Sequence, residues 1–280
     1  MPTPSLTSHI HLNVTNSLNE DIYSGDLTAQ LLPADTVASA QVITREDAVL
    51  CGTQWFDGCF RPQDPNCEIH WLARDGDRIR AGQLLCEIRG KARALLTVER
   101  SALNLLQTLS GTATRTREYV DAVAGTSVRI MDTRKTLPGL RQAQKYAVRV
   151  GGGHNQRFGL YDGILIKENH IAAAGGIQAV LAQALRLAKP GISVQIEVEN
   201  LAQLDEALNA GARLVLLDNF DLAGLRAAVK LNAGRAELEA SGGITLDTLR
   251  EVASTGISRI SIGDITKNLH AVDFTMRILP

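Results

Sequence analysis

The chain has 280 residues, a formal net charge of −1 and 45% apolar residues, while aromatic residues make up only 4%. A nearly neutral chain lacks the basic face expected of a nucleic-acid-binding domain, and no apolar run approaches the ~20 residues of a membrane span. We therefore expect neither nucleic acid nor a membrane as a partner. The abundance of small aliphatic residues favours close helix–sheet packing in an α/β protein.

Two features of the sequence indicate its compartment. Residues 1–14 lack a basic region followed by an apolar one, so we expect no secretory signal. The cysteines, Cys51, Cys59, Cys67 and Cys86, form no C-x-x-C pair and match no common zinc spacing. The sequence therefore predicts free, buried thiols in a cytoplasmic protein.

The first hundred or so residues read as a small sheet domain. A polar, turn-rich stretch at residues 19–33 follows a short predicted helix, and β patterns follow at residues 37–43, 69–72 and 84–88. The turn at residues 74–84 resembles one in biotinyl and lipoyl carrier domains, but the lysine tripeptide of those domains is missing. A carrier module is therefore an alternative that mass spectrometry of the lysines would exclude.

A helix is predicted over residues 97–123, where Leu103, Leu106 and Leu109 recur at helical spacing and Gly111 marks a break. Arg100 falls in the first turn of this predicted helix. A cation is mildly unfavourable there because of the helix dipole. By itself, Arg100 is best explained as a solvated surface residue.

From residue 127 onward, strands and helices alternate, which predicts a parallel sheet covered by helices. A sheet of this many βα units commonly closes into a barrel. The predicted strands are residues 128–131, 163–166, 194–198, 214–217, 238–240 and 260–262. The predicted helices are residues 140–150, 177–188, 202–210, 222–231 and 246–253.

Each of the predicted strands ends in charged residues, a small hydroxyl residue or glycine. In βα barrels the carboxyl ends of the strands face the active site, so the set predicts one functional edge. A single member such as Asp218 is explained equally well as a cap of the following helix. The residues at these ends are 132–135, 167–168, Glu197 with Glu199, 218–219, 241–243 and 263–264.

Positive charge is concentrated between residues 132 and 170. Seven cationic side chains oppose three acids, a local balance of +4 that predicts a small, multiply charged anion as ligand. Acids at neighbouring strand ends, Glu197 and Asp218, suit ribose hydroxyls or Mg²⁺ bound through water. Glycine-containing strand ends at residues 241–243 and 262–264 suit phosphate binding. Ile262 and Asp264 are therefore part of the predicted site. The seven cations are Arg134, Lys135, Arg141, Lys145, Arg149, Arg157 and Lys167.

Several motifs together closely resemble quinolinate phosphoribosyltransferase, also called nicotinate-nucleotide pyrophosphorylase (carboxylating). The resemblance runs in order from about residue 20 to residue 266. It implies an open βα barrel, at residues 113–267, preceded by a small α/β sandwich at residues 1–112 to which residues 268–280 return. It also implies a homodimer with shared active sites, and leaves a higher oligomer open. The motifs are TVERSALNLLQTLSGTAT, DTRKTLPGLR, KYAVRVGGG, LIKENH, IEVENL, LVLLDNF, EASGGI and SIGDIT.

The resemblance implies a glycosyltransferase of de novo NAD biosynthesis. Phosphoribosyl would pass from phosphoribosyl pyrophosphate (PRPP) to quinolinate with loss of CO₂ and diphosphate, giving nicotinate mononucleotide, with Mg²⁺ as cofactor. The implied catalytic residues are Lys135, Lys167, Glu197 and Asp218.

The resemblance also implies roles in substrate binding. Arg100 would reach the quinolinate of the neighbouring subunit, and Arg134, Arg157 and Lys167 would hold the two carboxylates. Lys135 would lie near phosphate or diphosphate oxygens, and Thr133 is included among the substrate-binding residues. Glu197 and Asp218 would contact ribose hydroxyls and the shell of Mg²⁺. The implied 5′-phosphate ligands are Ser241, Gly242, Gly243 and Gly263.

Two points stay open at this stage. The family commonly has histidine immediately before the arginine at 157, where this chain has Gln156, and a histidine stands instead at His154. Glutamine cannot titrate near neutral pH, so an acid–base role at position 156 is doubtful. Glu199 points the same way as Glu197 along a strand, so the choice of Glu197 depends on the resemblance.

The alternatives differ in the cations they require. A paralogous phosphoribosyl- or nucleotide-handling enzyme, such as a molybdenum-associated relative, would use the same barrel without the full cation set. A barrel lyase or isomerase acting on a sugar phosphate would need a catalytic lysine–glutamate pair, but not Arg100 and Arg134.

Overall fold

The computed structural model describes residues 5–280. The strands are β1 Val37–Thr44, β2 Ala48–Val49, β3 Glu68–Trp71, β4 Arg78–Ile79, β5 Leu84–Lys91, β6 Arg129–Met131, β7 Gly163–Ile166, β8 Ser193–Val198, β9 Leu214–Asp218, β10 Glu237–Ser241, β11 Arg259–Ser261 and β12 Phe274–Ile278. The α-helices are α1 Leu6–Ile22, α2 Thr53–Phe60, α3 Ala92–Ala122, α4 Arg141–Val150, α5 Glu168–Ala174, α6 Ile177–Leu187, α7 Leu201–Asn209, α8 Leu222–Asn232, α9 Leu246–Ala253 and α10 Asp264–Lys267. A short 3₁₀ helix spans Ala29–Leu31.

The chain divides into two compact units. The first contains the residues up to Arg117 together with Thr136–Gly152 and Thr266–Pro280, and the second contains Glu118–Lys135 and Gly153–Ile265. Helix α4 and strand β12 therefore belong to the first unit. A domain boundary near residue 112 remains a prediction.

The first unit is built on an antiparallel sheet in the order β12-β1-β5-β3, and a separate pair joins β2 to β4. Its core contains the fully buried rings of Trp55 and Phe56, and the Trp55 ring packs 5.3 Å from that of Tyr146, centroid to centroid. Alternating burial along β1 directs every second side chain to this core. The β patterns predicted from the sequence are therefore confirmed here.

The second unit contains six parallel strands in the order β6-β11-β10-β9-β8-β7. Its first two strands along the chain, β6 and β7, therefore form the two edges of the sheet. This order fits an open βα barrel preceded by a sandwich domain, and the predicted fold class is confirmed. Apolar and polar residues alternate along β8 and β10. The apolar residues face the covering helices, and the polar ones include Gln195, Glu197, Glu239 and Ser241. One face of the parallel sheet is therefore polar along these strands.

Three sequence predictions need correction. Helix α1 continues through Ile22 instead of ending before residue 19. Helix α3 begins at Ala92, so Arg100 lies in the helix interior and not in its first turn. Gly111 does not break α3, which continues to Ala122. A Cβ at Gly111 would lie 2.1 Å from the carbonyl oxygen of His270. Close packing of the C-terminal segment, and not helix termination, accounts for this glycine.

The predicted free thiols are present. All four cysteines are unbridged, and three of them are buried. Burial raises the pKa of Cys59 to about 12 and that of Cys67 to about 11, with neighbouring carboxylates adding to the effect. None of the helices within residues 5–280 combines the length and apolar character that crossing a membrane requires. The secretory-signal prediction concerns in part residues 1–4, which lie outside the described residues.

Candidate active site

The ends of β7 and β8 bring a lysine and a glutamate together. The Nζ atom of Lys167 lies 2.9 Å from Oε2 of Glu197. The backbone N–H of Lys167 donates to Nδ1 of His170, which holds the residue at the start of α5. Glu199 lies beyond the end of β8 and is exposed. The ion pair of Lys167 is formed with Glu197 and not with Glu199. This geometry favours Glu197 over Glu199 as the acid of the site.

Asp218 is the last residue of the neighbouring strand β9, and its carboxylate accepts from the amide of Asn219 at 2.9 Å. The cap of the following helix is Asp221, whose carboxylate accepts from the backbone of Gly224. Asp218 is therefore not a helix cap, and its carboxylate is directed to the same edge of the sheet as Glu197.

The donor set fits Mg²⁺ in its usual protein environment. Among residues 5–280, no three His, Cys, Asp or Glu side chains converge to form a metal cage. Mg²⁺ is typically held by one or two carboxylates, with water and substrate phosphates completing the shell. Glu197 and Asp218, on neighbouring strands, are suited to that arrangement.

Arg134 acts electrostatically on Arg157. The pKa of Arg157 is lowered, first by burial and then by the positive charge of Arg134, while Asp162 opposes the shift. Nη1 of Arg157 donates to the carbonyl oxygen of Gly163 at 3.1 Å. The carboxylate of Asp162 accepts from the backbone of Phe158 and Gly159, both at 2.8 Å, and so shapes the loop after Arg157. Like charges in a half-buried position are stabilised when an anion binds between them.

Glycine is required by close packing after β10. Gly242 has φ +103°, and a Cβ there would lie 2.0 Å from Oδ1 of Asn219. The backbone N–H of Asn219 in turn donates to the carbonyl of Ser241 at 2.9 Å. Gly243 also has positive φ. Absence of side chains leaves the backbone of this loop open to an anion.

The loops after β6 and β11 lie against each other. A Cβ at Gly263 would be 3.2 Å from Cδ of Lys135 and 3.8 Å from Oγ1 of Thr133. That hydroxyl accepts from the backbone N–H of Lys135 at 3.0 Å. Ile262 is buried, and Asp264 accepts from the hydroxyl of Tyr119 at 3.2 Å. Lys135 thus sits beside the second glycine-containing strand end.

The structure separates the predicted cations into two groups. Arg134, Lys135, Arg157 and Lys167 belong to the second unit. Lys167 directly follows β7, Arg134 and Lys135 lie in the loop after β6, and Arg157 contacts Gly163, the first residue of β7. The others, Arg141, Lys145 and Arg149, belong to α4 in the first unit, and Lys145 is fully buried. Arg100 also belongs to the first unit, where it is exposed on α3. A cleft of about 720 Å³ between α1 and α2 contains none of the predicted site residues.

Sequence reasoning missed a buried polar network one layer below the strand ends. Glu239 is 1% exposed and accepts from the side chains of Gln156, Gln195 and Ser261. Asp132, also buried, accepts from Asn155 and from the backbone of Gln156. A signal was present in the sequence, because polar residues alternate along β8 and β10 two positions before Glu197 and Ser241.

Cations, two carboxylates and glycine loops at the carboxyl ends of parallel strands define an α/β enzyme for a phosphate-bearing, multiply charged substrate. Residues 26–110 match the N-terminal domain of quinolinate phosphoribosyl transferase, and residues 112–277 match its C-terminal domain. The chain belongs to the quinolinate phosphoribosyltransferase family.

Individual relatives match over nearly the whole chain. A probable nicotinate-nucleotide pyrophosphorylase [carboxylating] of Bacillus subtilis is 41% identical over 96% of this chain and 94% of its own length. The nicotinate-nucleotide pyrophosphorylase [carboxylating] of Mycobacterium leprae is 42% identical over 93% of this chain and 94% of its own. The solved structure of the nicotinate-nucleotide pyrophosphorylase from Francisella tularensis superposes with a TM-score of 0.94, covers 99% of this chain and 98% of its own, and is 42% identical.

Proposed function

We propose that this protein transfers the phosphoribosyl group of PRPP to quinolinate and releases diphosphate and CO₂, which yields nicotinate mononucleotide for NAD synthesis. The observation that carries the proposal is the set of cations at the strand ends, with Lys167 directly after β7 and Arg134 and Lys135 in the loop after β6. A pyridine dicarboxylate supplies two negative charges, which match such a cation set. A sugar phosphate lyase would have no use for the arginine pair.

The chain's own residues are suited to positioning and to electrostatic stabilisation. Arg134, Arg157 and Lys167 would bind the carboxylates and hold the pyridine nitrogen, whose lone pair is free, in line with C1 of the ribose. No general base is needed to create this nucleophile. Glu197 and Asp218 would bind the ribose hydroxyls and tolerate the positive charge that develops on the sugar.

A second group of residues would bind the diphosphate leaving group and the 5′-phosphate. Lys135 would contact diphosphate or phosphate oxygens, and the loops containing Ser241, Gly242, Gly243 and Gly263 would hold the 5′-phosphate with backbone N–H groups. Glu197 and Asp218 would hold Mg²⁺, which would supply positive charge to balance that of the diphosphate. Once the pyridine nitrogen is quaternary, the C2 carboxylate would leave as CO₂, because the electron pair left on C2 lies beside the positive nitrogen. A proton from water would then bind to C2 and complete nicotinate mononucleotide.

We further propose that the enzyme is a homodimer in which Arg100 serves the partner's site. Three side chains of the segment after α1 are strongly exposed, namely Tyr23 at 93%, Leu27 at 83% and Leu31 at 82%. This segment lies against α3, because the hydroxyl of Thr97 donates to Asp26 at 2.9 Å. Arg100 follows Thr97 by about one helical turn and shares its face. An exposed apolar surface beside a site cation supports burial against a second subunit.

Location in the cytoplasm is also part of this proposal. Its support is the set of unbridged cysteines, since reducing compartments keep thiols free.

The decisive experiment is an assay of the purified protein with quinolinate, PRPP and Mg²⁺. We expect nicotinate mononucleotide and CO₂ to appear in equal amounts, with no product when PRPP is omitted. A folded protein that forms neither product would refute the proposal and favour a paralogous nucleotide-handling enzyme on the same fold.

A further inference from the structure

We propose that Gln156 is a positioning residue, which holds Arg157 in place for quinolinate by anchoring to the buried carboxylate of Glu239. This inference rests on the substrate role proposed above for Arg157. The sequence leaves the role of Gln156 open. Its contacts in the structure indicate that role.

The anchor is a buried network with one acceptor at its centre. Nε2 of Gln156 donates to the carboxylate of Glu239 and, at 3.2 Å, to Oε1 of Gln195. Nε2 of Gln195 donates to Oε2 of Glu239 at 3.0 Å, and the hydroxyl of Ser261 donates to Oε1. The carboxylate oxygens of Glu239 accept hydrogen bonds, so Gln156 is oriented with its amide nitrogen toward Glu239.

The donors of the network are uncharged side chains. Glu239, Gln195 and Ser261 are at most 7% exposed, and the three donors are two amides and a hydroxyl. Loss of one donor would leave part of a buried carboxylate without a hydrogen bond, which is unfavourable. The side chain of Gln156 is therefore strongly held in its observed position.

The backbone of the same segment is held by a second buried carboxylate. Oδ1 of Asp132 accepts from the backbone N–H of Gln156 at 2.8 Å, and Oδ2 accepts from Nδ2 of Asn155 at 2.6 Å. The backbone N–H of Asp132 donates to the carbonyl of His154 at 3.0 Å. Gln156 is thus fixed at both its backbone and its side chain, directly beside the loop that carries Arg134.

Arg157 is the next residue, and charges of both signs act on its guanidinium. Burial and the positive charge of Arg134 lower its pKa, while Asp162 opposes the shift. Nη1 of Arg157 donates to the carbonyl of Gly163 at 3.1 Å. Because Gln156 is held at both its backbone and its side chain, the point at which the Arg157 side chain leaves the main chain is fixed as well.

The experiment is an exchange of charge between positions 156 and 239. Gln156→Glu places two carboxylates in contact, whereas the double variant Gln156→Glu/Glu239→Gln restores one carboxylate and one amide with their positions reversed. We expect Gln156→Glu to raise the KM for quinolinate at least about tenfold, with the KM for PRPP within about twofold of the parent. The double variant should recover to within about threefold of the parent.

A milder variant covers the case in which Gln156→Glu does not fold. Gln156→Asn keeps the amide but shortens the reach to Glu239, and it should raise the KM for quinolinate several-fold. Circular dichroism and the thermal midpoint establish folding of each variant. A merely structural role would lower stability without separating the two KM values.

Two results would overturn the inference. If the double variant is as impaired as Gln156→Glu, or Gln156→Asn binds quinolinate like the parent, Gln156 does not act through Glu239. Arg157→Lys, measured in parallel, tests the role on which the inference rests. Unchanged quinolinate binding by Arg157→Lys would refute that role and the inference with it. Impaired binding by Arg157→Lys together with a failed exchange would refute the inference alone.

Discussion

Replacing Lys167 with alanine should abolish most of the activity while leaving the fold intact. The ammonium group pairs with Glu197 at 2.9 Å, with side-chain exposures of 45% and 11%. An ion pair this exposed contributes at most about 1 kcal/mol to stability. We therefore expect the thermal midpoint to fall by no more than about 2–4 °C.

The effect on catalysis should be much larger than the effect on stability. Removal of the ammonium takes one positive charge from a site for a dianion, and it leaves the poorly exposed carboxylate of Glu197 facing that dianion. Once the substrate covers the site, the pair is desolvated, and loss of one partner of a desolvated charge pair typically costs about 2–5 kcal/mol. The expected fall in kcat/KM for quinolinate is therefore about 30-fold to several thousand-fold.

Steady-state kinetics with quinolinate varied at saturating PRPP measure this change. Lys230→Ala is a matched control, because Lys230 is an exposed lysine on the outer face of α8. The double variant Lys167→Met/Glu197→Gln should be compared with each of its single variants. This comparison separates the loss of the Lys167 charge from the repulsion between Glu197 and the substrate. A Lys167→Ala enzyme with the kcat/KM of the parent would remove Lys167 from the site and refute the reasoning.

Three further predictions concern specificity, assembly and the glycine loop. Nicotinate lacks the C2 carboxylate and should be used about 10⁴-fold less efficiently than quinolinate, because its binding leaves site cations unpaired; comparable turnover in competition assays would mean that the substrate is wrong. Arg100→Ala and Lys167→Ala homodimers should both be nearly inactive, but subunit exchange between them, verified with tagged subunits, should restore about a quarter of wild-type sites; no recovery would refute the shared site. Gly242→Ala should raise the KM for PRPP and destabilise the fold by about 1–3 kcal/mol. The reasons are its φ of +103° and the 2.0 Å that would separate a Cβ from Oδ1 of Asn219. Gly234→Ala is the control for backbone strain alone, because Gly234 has a positive φ but open space around a Cβ.

The sequence was most informative where local rules operate. Apolar residues within 163–166 and 194–198 identified β7 and β8 to within one residue, because the side chains of a strand that pack against the covering helices must be apolar. The chemical types at the strand ends indicated a site for an anion and led to the family through their motifs. The short helices α2, α5 and α10 were missed, since elements of a few residues lack a readable period.

The tertiary structure decided what depends on distances between remote residues. It assigned α4, with Arg141, Lys145 and Arg149, to the first unit, although their charges read as one cluster with Arg134 along the chain.

The sequence by itself determined the family, the fold class and the identity of the strand-end residues, because these follow from local periodicity and motif. Only the tertiary structure paired Lys167 with Glu197 and joined Gln156 to Glu239, residues that are 83 positions apart in the chain. The physical reason is that pairing of parallel strands sets which side chains meet, and the spacing along the sequence does not contain that register.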